Sequence, residues 1–187
     1  MVYNMNRAFE MISALQKCVR RAMTEEAGYW FFNLCEMGQF GFAINRLKIT
    51  AHEDIGVNDI QAVMFALRSI DDARELYKAK NDGWRVPASN AIIALCQANK
   101  GREADNFQAI CRGRVIKNPN IEVPDFAFDK HTIKGRKMGR GFKHFFDEAA
   151  KLVPQHQNKW EAEARQYYES GLLTNNTTEP KPEKLFE

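Results

Sequence analysis

No apolar run in this chain approaches the roughly 18 residues needed to cross a bilayer, and the opening MVYNMNRAFE lacks the apolar centre of a signal peptide. Those two absences exclude a helical membrane protein and predict a soluble, cytoplasmic one. There is no C-x-x-C pair; Cys18, Cys35, Cys96 and Cys111 each sit inside an apolar helical pattern, which predicts buried thiols in a reducing compartment rather than a zinc or disulfide framework. A phosphate loop of the form G-x-x-x-x-G-K-S/T is also missing, so nothing here cradles a nucleotide. No Ser-His-Asp or Cys-His order supports nucleophilic catalysis. The charge balance is equally plain: 27 Lys and Arg against 24 Asp and Glu leave only +3, which excludes a chain that coats nucleic acid by bulk charge. No strand alternation and no internal repeat occurs.

What the chain has is helical periodicity. Its 187 residues, 44% of them hydrophobic, suffice for one well-buried domain. Phe9, Ile12, Leu15, Val19 and Ala22 recur at intervals of three and four and predict a first amphipathic helix over 7–22. Thr24 followed by Glu25 and Glu26 reads as the N-cap and acidic first turn of a second, almost wholly apolar and hence central helix, which Gly38 closes. A third runs over 40–51 with Phe42, Ile44, Leu47 and Ile49. A long fourth follows Asn58 and Asp59, carrying Ile60, Val63, Met64, Leu67 and Ile70. Gly83 and Pro87 mark a break, Ser89 or Asn90 can cap a fifth helix, and a sixth over 103–115 is expected to bury Phe107, Ile110 and Cys111. An irregular extended connector covers 117–128, helical pattern returns, and 173–187 is polar and proline-containing enough to be a flexible tail. The expected architecture is an all-α bundle: a single domain over 1–172 with a tail.

The stretch KITAHEDIGVND, residues 48–59, packs a histidine, paired acids and a glycine into one segment. Helical metal ligands need spacing of three or four, whereas His52, Glu53 and Asp54 are consecutive and fan out by about 100° each. Converging acid/base carboxylates are excluded on the same ground. The reading that uses every residue is a corner: Gly56 takes the left-handed conformation that ends one helix, and Asn58 or Asp59 caps the next.

Ser13, Lys17 and Arg20 form S-x-x-x-K-x-x-R; Ala27, Tyr29 and Trp30 form A-x-Y-W; Arg46, Glu53, Asp54, Ile55, Gly56 and Asp59 form R-x-x-x-x-x-x-E-D-I-G-x-x-D. With these patterns the chain resembles the C-terminal region of the replication-associated recombination protein A (RarA/MgsA) family of clamp-loader-related AAA+ ATPases. The resemblance is close over 7–59, weakens through the middle helices and resumes more loosely at VPDFAF and GRKMGRGFKH. It implies a helical fold similar to the clamp-loader collar, a homo-oligomer (a tetramer in that family), no cofactor, and a role in DNA replication or repair with an AAA+ ATPase or replication protein as partner. The missing phosphate loop departs from the whole family protein, so the chain reads as its C-terminal region standing alone, without enzymatic activity.

The charge surplus is local. Between 112 and 144 lie nine Lys and Arg and three acids, and the segment DKHTIKGRKMGRGFKHFF holds Lys134, Gly135, Arg136, Lys137, Gly139, Arg140, Gly141 and Lys143. If helical, it sets Gly135 and Gly139 on one face with Arg136 and Arg140 beside them. One reading is a DNA- or RNA-binding module in which Lys134, Arg136, Lys137, Arg140 and Lys143 contact phosphates and the glycines admit a backbone. The other is tight helix packing with solvated or paired basic groups. His131 and His144 are not brought together by any spacing. Trp30, Phe31, Phe32 and Phe40, and separately Phe142, Phe145 and Phe146, are aromatic groups that either stack on bases or form core and interface.

Calorimetric titration of the chain with ATP is expected to give no saturable binding, since the phosphate loop and its lysine are absent. A saturable isotherm would overturn this reading.

Overall fold

The computed structural model describes residues 5–156 and 158–173, and every regular element among them is helical. The tail expected over 173–187 lies, from 174 onward, outside the described residues. Contacts divide the chain into two units, Met1–Pro119 and Asn120–Glu187.

The first unit contains α1 (Met5–Arg20), α2 (Thr24–Glu36), α3 (Phe40–Glu53), α4 (Ile60–Lys78), α5 (Arg85–Gln97) and α6 (Glu103–Lys117), with single 3-10 turns at Gly56–Asp59 and Asp82–Trp84. Its core is the inward stripe of α1 (Met11, Ile12, Leu15, Val19) against Phe31 and Leu34 of α2, Ile44 and Leu47 of α3, Ile70 of α4 and Leu95 of α5. Small residues, Ala66 and Ala73 on α4 and Ala88 and Ala91 on α5, are fully buried and let those two helices approach closely. Trp84, buried between α4 and α5 in sequence, gathers the aromatics. Phe40 stacks on Tyr77 at 3.8 Å, and Trp84 meets Phe40 edge-on at 5.1 Å, with Phe31 and Phe32 at 6.4 and 6.0 Å. Phe31, Phe32 and Phe40 therefore pack within the fold, and the organising tryptophan is one that sequence pattern alone does not pick out.

Three of these helices end in the same closure. After α1, Ala22 N–H donates to Val19 O and Met23 N–H to Cys18 O; after α2, Gly38 donates to Cys35 and Gln39 to Leu34; after α4, Lys80 donates to Tyr77 and Asn81 to Leu76. Each places one residue in the left-handed region, with φ of 56° at Ala22, 73° at Gly38 and 56° at Lys80. This closure also fixes the start of α2. Met23 is its N-cap with no side-chain bond, so Thr24 is the first helical residue instead of the cap. The end of α5 is satisfied differently: the Lys100 ammonium donates to Cys96 O at 2.8 Å and Ala98 O at 2.7 Å, and its burial pushes its pKa down.

Two expectations are corrected here. Pro87 does not interrupt the chain; it occupies the first turn of α5, where a backbone N–H is not needed, and the break falls at 79–81, ahead of Ser89 and Asn90. And α6 buries none of its residues: Phe107 is 69% exposed, Ile110 is exposed and Cys111 only half-buried. Periodicity gave the helix, but the apolar pattern of α6 is spread around its circumference, so no single face was marked for the core.

In the second unit, 120–124 is without helix, a 3-10 turn spans Asp125–Ala127, and α7 (Ile133–Lys137), α8 (Phe142–His144) continuing as a π-helical turn Phe145–Ala149, and α9 (Glu161–Glu169) follow. Phe142 stacks on Phe146 and on Tyr168 of α9, with centroids 6.4 and 5.0 Å apart. His131 meets Phe145 edge-on at 5.4 Å.

Gly38→Ala and Gly56→Ala are each expected to cost about 1 kcal/mol in denaturant melts, purely from backbone strain, because no atom lies within 4 Å of the added methyl. Ala22→Gly should shift stability in the opposite direction, by up to about 1 kcal/mol. Equal melts for Gly38→Ala and Ala22→Gly would refute the closure as described, and an unchanged melt for Gly56→Ala would refute strain at that residue, where φ is 53°.

Candidate functional site

The segment 53–59 sits where four parts of the first unit meet. Asp54, with 2% of its side chain exposed, and Glu53 are the last residues of the α3 turn and face the C-terminal half of α1. Gln16 and Arg20, four apart on α1, share one face. Arg20 Nε donates to Asp54 Oδ1 at 2.7 Å and its Nη2 to Glu53 Oε1 at 2.8 Å, while Gln16 Nε2 donates to Asp54 Oδ2 at 2.9 Å and Glu53 Oε2 at 3.1 Å. Arg46, one helix turn and more before the acids on α3, donates to Gln16 Oε1 at 3.0 Å and so fixes that amide. From the far side Arg102 donates to Glu53 Oε1 at 3.0 Å and places Nε 3.5 Å from Asp54 Oδ1. Two carboxylates thus face two guanidiniums and one oriented amide, which leaves each buried charge paired and hydrogen-bonded.

The corner beyond the acids extends the knot. Gly56 has φ of 53°, and Asp59 Oδ1 accepts from Ala62 N at 3.0 Å, capping α4, while its Oδ2 accepts from Asn99 N at 3.2 Å. Asp54 O accepts from Gly101 N at 2.9 Å, and Asn58 Nδ2 donates to Ile55 O at 3.1 Å and to Glu103. A side chain at Gly101 would collide with Asn58 and Glu103. The junction therefore ties α1, α3, α4 and the entry to α6 together. Asp54 is withdrawn from solvent, and Glu53, 25% exposed, is held by Gln16, Arg20 and Arg102, so the arrangement holds helices in place. Among the described residues no group of three or more His, Cys, Asp or Glu is arranged to hold a metal ion.

The basic glycine segment in the second unit is built differently from its expected form. Thr132 caps α7, accepting from Gly135 N at 3.0 Å and donating to Asp129 O at 3.0 Å. Gly135 is buried against the Asp129 and Phe128 backbone, where a Cβ would overlap the Asp129 carbonyl. The helix stops at Lys137, Gly139 takes φ of 71°, and Gly139 and Arg140 N–H donate to Arg136 O and Gly135 O. Arg136 and Arg140 are consequently not neighbours on one helix. Arg140, its side chain 15% exposed, turns back to chelate Asp125 with Nη2 at 2.8 and 2.7 Å, and its Nη1 donates to Asp125 O and Phe128 O, both at 2.8 Å. Lys143 pairs with Asp147 at 2.5 Å; Lys143 and Arg165 beside that carboxyl hold it below the usual carboxylate range. Lys130 and Lys134 lie over the Phe142 and Phe128 rings at 3.8 and 3.9 Å, Arg136 Nη1 donates to His131 O at 3.2 Å, and Lys137 is exposed.

Of the motif residues read from the sequence, Arg20, Arg46, Glu53, Asp54, Gly56 and Asp59 come together at this junction, whereas Tyr29 and Trp30 pack against each other on α2. Gln16 and Arg102 were not among them. The signal for Gln16 was present, a polar residue four before Arg20 on a helix otherwise apolar inward; Arg102, 49 residues from Glu53, had none.

Asp54→Ala is expected to destabilise the fold by about 3 kcal/mol in urea melts, because it strands the guanidiniums of the junction. Arg102→Ala, at a side chain 48% exposed, should cost under about 1 kcal/mol. The reverse order would show that the knot is held from the α6 side.

Comparison with known proteins points the same way as the motif. The family described as MgsA AAA+ ATPase C terminal matches residues 23–186. Replication-associated recombination protein A of Bacillus subtilis (strain 168) is 28% identical over 183 residues, 96% of this chain and 40% of that protein. ATPase WRNIP1 of Dictyostelium discoideum is 27% identical over 78% of this chain and 17% of its own length. Replication-associated recombination protein A of Escherichia coli (strain K12) is 26% identical over 77% of this chain and 32% of its own. The chain spans less than half the length of each of these relatives. With the family match running through α2 to α6 and across the Glu53–Asp54 junction, the chain belongs to the MgsA AAA+ ATPase C-terminal family.

Proposed function

We propose that this chain is a non-enzymatic, oligomerising helical scaffold similar to a clamp-loader collar, most simply a tetramer, that serves DNA replication or repair beside an AAA+ ATPase. The relatives carry ATPase or replication-associated recombination in their names, which supports the process and the partner class.

The observation that carries self-association is α6. It is fixed at its start by Arg102 and Glu103, yet none of its residues is buried, and Phe107, Ile110, Val115 and Ile116, the last 78% exposed, stand in solvent. On α4 and the turn before it Val57, Ile60, Met64 and Phe65 are exposed as well. A monomer seldom leaves that much apolar surface on rigid helices uncovered, and a symmetric oligomer covers it with copies of itself. A second reading, nucleic-acid binding, is favoured by the cations of the second unit that pair with no carboxylate among the described residues.

Light scattering at micromolar concentration is expected to give a mass about four times the 21.5 kDa chain. Phe107→Asp with Ile110→Asp should reduce it toward one chain without changing the far-ultraviolet circular dichroism, since neither side chain is in the core. A monomeric wild type would remove the proposal's main support.

A further inference from the structure

Between 130 and 144 the sequence holds six Lys and Arg and no acid. The structure divides those six by role. Arg140 is consumed by Asp125 and two backbone carbonyls, and Lys143 by Asp147. Lys130, Lys134, Arg136 and Lys137 have no ion-pair partner among the described residues. Two of the four are held in place without being neutralised: the Lys130 and Lys134 ammoniums rest on the faces of Phe142 and Phe128, an arrangement that fixes a cation and leaves its charge intact. Arg136 is braced by the His131 carbonyl, and the Lys137 side chain is exposed.

From this we infer that the α7 surface of the second unit is a nucleic-acid backbone site, in which Lys134, Arg136 and Lys137, supported by Lys130, contact phosphates. Arg140 and Gly135 are its frame. Gly135 lets α7 lie directly on the Asp129 backbone, and Arg140 locks the 125–128 turn beneath it, so the cations are presented from a short rigid turn instead of a loose loop. Preorganised cations lose less entropy on binding. The ligand class follows from the pattern: four positive charges within eight residues, without an ion-pair partner among the described residues, fit a polymer of regularly spaced phosphates. Phosphates are presented alike by every base sequence, so binding through them is insensitive to sequence. The inference rests on the replication or repair reading above but not on self-association.

The test is fluorescence anisotropy of the full chain with a labelled single strand and a labelled duplex of about 20 nucleotides, with light scattering run in parallel. Four phosphate contacts predict a duplex affinity that falls about a hundredfold between about 50 and 200 mM salt. The triple variant Lys134→Gln, Arg136→Gln, Lys137→Gln is expected to lose at least about tenfold in affinity and to flatten the salt slope by roughly three, with mass and circular dichroism unchanged. Should the triple variant misfold, Lys137→Glu alone, at an exposed side chain, should still weaken binding severalfold. Lys143→Gln should stay within about twofold of wild type. The inference is overturned by a wild type that binds neither probe, by a triple variant that binds like wild type, by Lys143→Gln costing as much as the triple, or by phosphatidylglycerol vesicles capturing the chain as strongly as nucleic acid at equal salt. A monomer that binds nucleic acid would remove the scaffold and keep this site; an oligomer that ignores nucleic acid would do the reverse.

Discussion

Asp54 is a carboxylate almost wholly withdrawn from water, and the first unit is arranged to make that tolerable. Burying an ion unpaired costs several kcal/mol, so its neighbours must arrive together and in the right orientation: Arg20 and Gln16 from α1, Arg102 from the far side, and Glu53 to balance the second guanidinium. Because these groups come from α1, α3 and the start of α6, none of those three can slide on another without exposing or stranding a charge. Apolar packing supplies the attraction between α1, α2, α3 and α5, but apolar packing alone admits neighbouring registers. The charged knot selects one. Gly56 and Asp59 then turn the chain immediately after the acids, so the same few residues that fix α1 against α3 also set where α4 begins.

The fold class and the order of helices could be read because helical periodicity and turn chemistry are local. Phe9 to Val19 announces α1, and Gly38, Gly56 and Asp59 sit where their backbone chemistry is needed. What could not be read was long-range. Trp84 is one tryptophan in a short turn until Phe40 and Tyr77 close around it, and Arg102 is one arginine after a glycine until Glu53 meets it. Local rules also misplaced two boundaries. Pro87 was taken for a break although the first turn of a helix accommodates it, and Thr24 for a cap although the closure of α1 had already assigned that place to Met23.

The basic segment shows a different limit. Equal spacing of glycines and arginines suggested one continuous helix, and it failed at Gly139, whose left-handed φ ends α7 and sends Arg140 back toward Asp125. A sequence displays six cations as equals. Only the fold distinguishes those that are structural from those left facing water. For α6 the difficulty is the opposite: its apolar residues are legible, but they are spread around the helix and none of them is buried.

The division of labour around α7 bears on how such a surface can vary. The guanidinium of Arg140 satisfies two main-chain carbonyls and a carboxylate at once, a task a lysine's single ammonium cannot repeat in that geometry, so the turn's shape is concentrated in one side chain and the bare backbone of Gly135. The Lys134 and Lys137 side chains make no hydrogen bond or ion pair among the described residues that would hold that shape. The electrostatic character of the surface can therefore be rewritten, strengthened, erased or reversed, one substitution at a time, on a scaffold that keeps its geometry throughout.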